Sequence, residues 1–151
     1  MKTSSFLTGL CALALLAGCA SPAQQTLHFP RQSKHLENAG RARIYVLRPS
    51  KAYTSTKLVV EADKALIGYT GPQSYLCWEQ QPGSTEITTR GENADTLRLQ
   101  TEPGHVYYVV QEIYPGQTSP RTHVLTVTDA QGSRLLGQCK APSVLAGTGG
   151  Y

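Results

Sequence analysis

The residues of this chain best equipped for chemistry are four cysteines, Cys11, Cys19, Cys77 and Cys139, and four histidines, His28, His35, His105 and His123. A thiolate can attack carbon, ligate a metal or close a disulfide, and an imidazole can shuttle protons near neutral pH. Each use asks for a spacing. Metal sites announce themselves through close ligand pairs such as C-x2-C, and neither Cys77 nor Cys139 has a cysteine or histidine at that distance. No G-x-S-x-G elbow, H-E-x-x-H pair or phosphate-binding loop occurs. His105, His123, Glu112 and Asp129 could meet in a folded chain, but nothing in their spacing requires it. No catalytic, metal or cofactor site is therefore expected, and the chain reads as non-enzymatic.

Cys19 is different because of what precedes it. Met1-Lys2 is a short positive start, Phe6 to Ala17 is mostly alanine and leucine, and Leu16-Ala17-Gly18-Cys19 closes the segment. A secretory signal has a charged start, an apolar middle and small residues at the cut. The run is shorter than the ~20 residues that a spanning helix needs. Small residues leading directly into a cysteine resemble the lipobox of bacterial lipoproteins. That resemblance implies a signal peptide over residues 1–18, cleavage before Cys19, and fatty acylation of Cys19 on its thiol and new amino group. Two or more acyl chains hold a protein firmly on a bilayer, at ~0.8 kcal/mol per buried CH2. Ala20-Ser21 follow in place of the aspartate that retains lipoproteins at the inner membrane in enteric bacteria. The expected location is thus the outer membrane, lipid-anchored, on its periplasmic face.

Export sets the redox state. Cys11 would leave with the signal peptide and Cys19 would be acylated, so Cys77 and Cys139 remain as a pair. In an oxidising compartment such a pair reads as a disulfide. By chain-entropy reasoning a loop of this length would stabilise the fold by roughly 4 kcal/mol.

The formal charge is +4 at pH 7. Its basic residues, among them Arg41, Arg43, Arg48, Lys51, Lys57 and Lys64, are dispersed, so no nucleic-acid partner is expected. A mildly positive face could meet anionic lipid or glycan. Residues 19–39 are polar, with no sustained apolar period, and read as a tether that would reach on the order of 25 Å. Residues 141–151 read as a loose, glycine-rich tail.

Between them, residues 40–140 read as one β domain. Short runs rich in branched and aromatic residues alternate with turn signals. They fall at Ala42–Arg48, Lys57–Ala62, Leu66–Thr70, Tyr75–Gln80, Thr85–Thr89, Thr96–Gln100, His105–Tyr114 and Thr122–Thr128. Asp63-Lys64, Pro82-Gly83, Pro103-Gly104 and Asp129-Ala130-Gln131-Gly132 are the turns. Arg134–Cys139 closes the domain as a strand or a short helix. Seven or eight strands in this pattern predict an antiparallel β-sandwich. Arg48, ahead of Pro49, is expected to cap a strand end or pair with an acid.

The order of motifs resembles a family of small bacterial proteins, many of them lipoproteins, termed domain of unknown function 2846 (DUF2846). Gly40-Arg41-Ala42-Arg43-Ile44-Tyr45-Val46-Leu47-Arg48-Pro49 is similar to the family's opening G-x-A-x-I-Y-V-x-R-P. The turn at Asp63 with Ile67-Gly68, the aromatic Tyr75, Pro82-Gly83 with Ile87, and Gly104 with Tyr107-Tyr108-Val109 follow in the family's order. Ser84-Thr85 stand where the family often shows a histidine. The resemblance implies fold and location, and no activity.

Eight tyrosines accompany Trp78, more than one core of this size can hold. Tyrosine offers rigid contact area with a polar end, which suits binding surfaces. The expectation is a membrane-anchored binding or adapter module engaging an envelope protein or glycan. The alternatives are a periplasmic inhibitor similar to lysozyme inhibitors, whose basic targets would mismatch a basic chain, and a small hydrolase.

Overall fold

The computed structural model describes residues 36–142. The expected signal peptide, Cys19, His28, His35, nearly all of the tether and the tail beyond residue 142 lie outside the described residues.

The domain is a two-sheet sandwich, as its alternating runs predict. In chain order it contains β1 (Ala42–Arg48), β2 (Leu58–Ala62), β3 (Ala65–Thr70), β4 (Ser74–Gln80), β5 (Gly83–Arg90), β6 (Ala94–Thr101), β7 (Val106–Tyr114), β8 (Arg121–Val127), α1 (Asp129–Leu136) and β9 (Ala141–Pro142). One sheet has the order β8-β7-β1-β4-β9 and the other β3-β2-β5-β6. Most pairings are antiparallel, but β1–β7 and β4–β9 are parallel. No helix among the described residues is long and apolar enough to cross a membrane.

Alternation sets the core. Ile44 and Val46 of β1 face Leu76 and Trp78 of β4 on the inner side, and Val60, Ile67, Ile87 and Leu99 meet them from the second sheet. Trp78 is fully buried, and its indole N–H donates to Gln80 at 2.8 Å. A polar chain crosses this core. Thr70 donates to Gln111, Gln111 donates to Thr122 at 3.1 Å, and Thr122 meets Thr89 at 2.8 Å. Buried polar groups that are all hydrogen-bonded fix how two sheets stack, because any slip would orphan them.

The turns obey backbone sterics. Asp63 and Lys64 both take left-handed φ, at 48° and 68°, as a two-residue hairpin loop requires. The Asp63 carboxylate accepts from Thr85 Oγ1 and the Glu86 N–H, which locks the hairpin to β5. The expected turn at Asp129–Gly132 is instead the first half of α1. Thr128 is its N-cap, accepting from the Gln131 N–H, and Asp129 places negative charge in the first turn. Helix propensity argues against Gly132. The close approach of α1 to the sheet explains it, since Gly132 lies directly over the Tyr108 ring.

Candidate functional site

The outer face of the first sheet carries the chain's reactive groups. Because Ile44, Val46, Leu76 and Trp78 point inward, Arg43, Tyr45 and Leu47 of β1 and Tyr75, Cys77 and Glu79 of β4 point outward. This face is not solvated. Leu135 and Leu136 of α1 cover Tyr45, Leu47 and Tyr75. Tyr45 stacks on Tyr108 with centroids 5.3 Å apart and tilts against Tyr75 at 6.0 Å.

Arg43 and Glu79 form an ion pair at 2.7 Å, and their side chains are 1% and 0% exposed. Glu79 Oε1 also accepts from the Glu37 N–H at 3.1 Å. Burial works to lower the Arg43 pKa, but its hydrogen bonds to Glu79 and Tyr45 outweigh burial and raise it. Burial pushes the Tyr45 phenol well above its ordinary range.

The two thiols belong to this layer without meeting. Cys77 is paired across the sheet with Tyr45. Cys139 takes a hydrogen bond from the backbone of Arg48, three residues further along β1 than Tyr45. Tyr75 stands in the electrostatic reach of both. Both cysteines are free thiols in this structure, so the disulfide expected between Cys77 and Cys139 is not formed in it. The physical reason is that α1 delivers Cys139 to the Arg48 end of the face, whereas Cys77 sits nearer its middle. Burial pushes Cys77 up to about 12 and Cys139 up to about 11. Thiols held protonated at neutral pH are poor nucleophiles.

Arg48 is a finding that sequence spacing could not supply. It is fully buried, and among the described residues it pairs with no acid. Its guanidinium donates to four backbone carbonyls, those of Thr56 and Thr70 at 2.8 and 3.1 Å and those of Ala52 and Tyr53 at 3.0 and 3.2 Å. Burial lowers its pKa, with no carboxylate to offset it. The side chain thus fastens the loop 49–57 to the end of β3, with Tyr53 in the left-handed region at φ 55°.

His105 and His123 do not converge. His105 sits on the turn before β7, where Nδ1 lies 3.0 Å from the Pro103 carbonyl. His123 stands at the opposite end of that sheet, on β8, cross-strand from Glu112. Asp129 starts α1. The true partner of His123 is Asp95, with Nδ1 2.7 Å from Oδ2. Asp95 also accepts from the Val124 N–H, and Asn93 exchanges two hydrogen bonds with the Thr122 backbone. Side chains of β6 and its approach thereby occupy the open edge of β8. No serine, threonine or cysteine among the described residues hydrogen-bonds to His123.

Next to this pair is a recess of about 320 Å³ lined by Asn93, Asp95, Tyr114, Arg121 and His123. Its wall is braced. The Glu92 carboxylate accepts from the backbone N–H groups of Gln117, Thr118 and Ser119, and these hold its pKa down at about 2. A second recess of about 400 Å³ runs from Pro49 and Ser50 past Glu112 and Tyr114 to Leu135 of α1. Tyr114 borders both and is 47% exposed. Among the described residues no cluster of three or more potential ligands could hold a metal ion. No family model, no curated protein and no solved structure matches this chain.

Proposed function

We propose that the protein is a lipid-anchored envelope module that binds a partner and catalyses nothing. The observation that carries this reading is Tyr114, an exposed aromatic shared by two preformed recesses on a braced rim. Sites of this kind, concave and partly apolar with a few fixed polar groups, hold ligands with little reorganisation. The chemistry of the remaining groups agrees. The thiols are held protonated, the buried ion pair is covered, and no side-chain nucleophile among the described residues hydrogen-bonds to His123.

Anchoring through Cys19 rests on the Leu16-Ala17-Gly18-Cys19 sequence, and placement on the periplasmic side of the outer membrane rests on Ala20-Ser21. Kinship with the DUF2846 family rests on the ordered motifs from Gly40 to Val109. The partner is an envelope protein or glycan.

The test has two parts. Mass spectrometry of the purified chain should find an N-terminal Cys19 carrying acyl chains, and Cys19→Ala should release the protein from membranes. Cross-linking in whole envelopes should capture a partner with the native protein and less of it with Tyr114→Ala. An unacylated chain, or capture indifferent to Tyr114, defeats the reading.

A further inference from the structure

One end of the sandwich gathers exposed lysines that make no ion pair among the described residues. Three segments join at the end where β1 finishes: the loop after Arg48, the turn before Ser74, and the stretch after α1. Their backbones are bonded together. The Gln73 N–H donates to the Ser50 carbonyl at 3.1 Å, and the Lys140 N–H donates to the Gln73 carbonyl at 2.8 Å. Gln73 Nε2 reaches the Gln138 carbonyl at 3.4 Å. Within residues 48–58, 70–74 and 137–142 there is no aspartate or glutamate, but there are Arg48, Lys51, Lys57 and Lys140. The three lysines are exposed, and none makes an ion pair among the described residues.

Arg48 adds a second, independent observation. It is a fully buried cation beneath this junction, and its Nε has no hydrogen-bond partner among the described residues. A buried charge is costly unless an opposite charge compensates it, and among the described residues its guanidinium donates only to backbone carbonyls. Its field adds to that of the lysines.

Direction selects the partner. Ala42 pairs with Gln80, and Arg48 pairs with Ser74 at the other end of the sheet. The chain therefore enters the domain at the end opposite the lysines, and β1 separates the two ends by roughly 23 Å. A lipid on Cys19 would attach to the domain through this entry end.

We infer that the junction of residues 49–57, 71–73 and 138–140 is a polyanion-binding surface, and that its partner is the carboxylate-bearing peptidoglycan facing the domain from the side away from its anchor. This rests on the binding-module reading above and names its ligand class. Lys51, Lys57 and Lys140 supply long-range attraction, Tyr53 and the loop hydroxyls supply contacts, and Arg48 holds the loop in place.

The test is co-sedimentation of the detergent-solubilised full chain with purified peptidoglycan sacculi at low salt. Three proteins are compared: the native chain, a Lys51→Ala/Lys57→Ala/Lys140→Ala variant, and a charge-matched Lys64→Ala/Arg98→Ala/Arg134→Ala control. The native chain and the control should pellet alike, the first variant should bind about tenfold more weakly, and added salt should release the bound protein. Equal binding by all three, or equal loss in both variants, overturns the inference. Binding to phosphatidylglycerol vesicles but not to sacculi also overturns it, in favour of a membrane. Envelope cross-linking of the same three proteins separates this failure from failure of the broader reading. A partner captured equally by all three leaves the module intact and removes only the lysine surface, whereas no partner with the native chain removes both.

Discussion

A methyl group placed on Gly132 would sit 2.1 Å from Cγ of Tyr108, deep inside van der Waals contact. Helix α1 therefore rests its backbone on the aromatic ring, and the ring in turn stacks on Tyr45. Gly132→Ala in a free helix would stabilise by about 1 kcal/mol. Here the clash should reverse the sign, destabilising the domain by about 1–3 kcal/mol. Urea unfolding of the variant decides the sign. A gain in stability would mean that α1 is not seated on Tyr108.

The Arg43–Glu79 pair is buried on both sides, so removing one partner should cost more than removing both. Glu79→Ala is expected to lose about 3–5 kcal/mol, whereas Arg43→Met combined with Glu79→Leu should recover most of that loss. Denaturant curves for the two variants test the ordering. Equal losses would place the pair in solvent.

Cys77 and Cys139 should alkylate slowly in the folded protein, because burial keeps both protonated at neutral pH. Denaturation without reductant should expose two reactive thiols to iodoacetamide. Intact-mass spectrometry counts the adducts. A need for reductant would show that the oxidised protein brings Cys139 to Cys77 by moving the segment after α1.

Glu92 gives the loop 115–119 an acid limit. Its carboxyl is held at about 2 against an ordinary value of 4.5. A depressed carboxyl stabilises the folded form above its unfolded pKa, and that contribution fades as pH falls from about 4.5 through about 2. Protection of the Gln117–Ser119 amides, measured as exchange relative to an unstructured peptide at the same pH, should fall across this window. Glu92→Gln should show low protection at every pH. Protection in the native protein that does not change with pH would remove Glu92 from the role.

The sandwich was legible in the sequence because burial on one face writes a period of two. Ala42–Arg48 stands in the structure with the boundaries its branched residues predict, closed by Pro49. The parallel placement of β1 beside β7 was not legible, since pairing between distant segments depends on packing that no local pattern records. The helix was misread at Asp129–Gly132 because its glycine answers to Tyr108 and not to a turn. The candidate site was the least visible part. Arg43 and Glu79 fall at outward positions where charge ordinarily means solvent, and only the covering of that face makes them a buried pair. Arg48 looked like a strand cap, and its carbonyl partners lie on a loop whose course no spacing reveals. Asp95 gave no signal as the partner of His123, since the two come from different sheets.

The central position of β1 governs when this chain can fold. Its neighbours come from residues 74–80 and 106–110, and the second of these needs β8 on its far side. Topologies dominated by such distant pairings fold slowly. A partly synthesised chain lacking β7 leaves β1 with one edge bare and stays open until almost the whole sequence is available. Export by the proposed lipoprotein route would benefit from that delay, because the first strand cannot complete its sheet before the last strands have arrived.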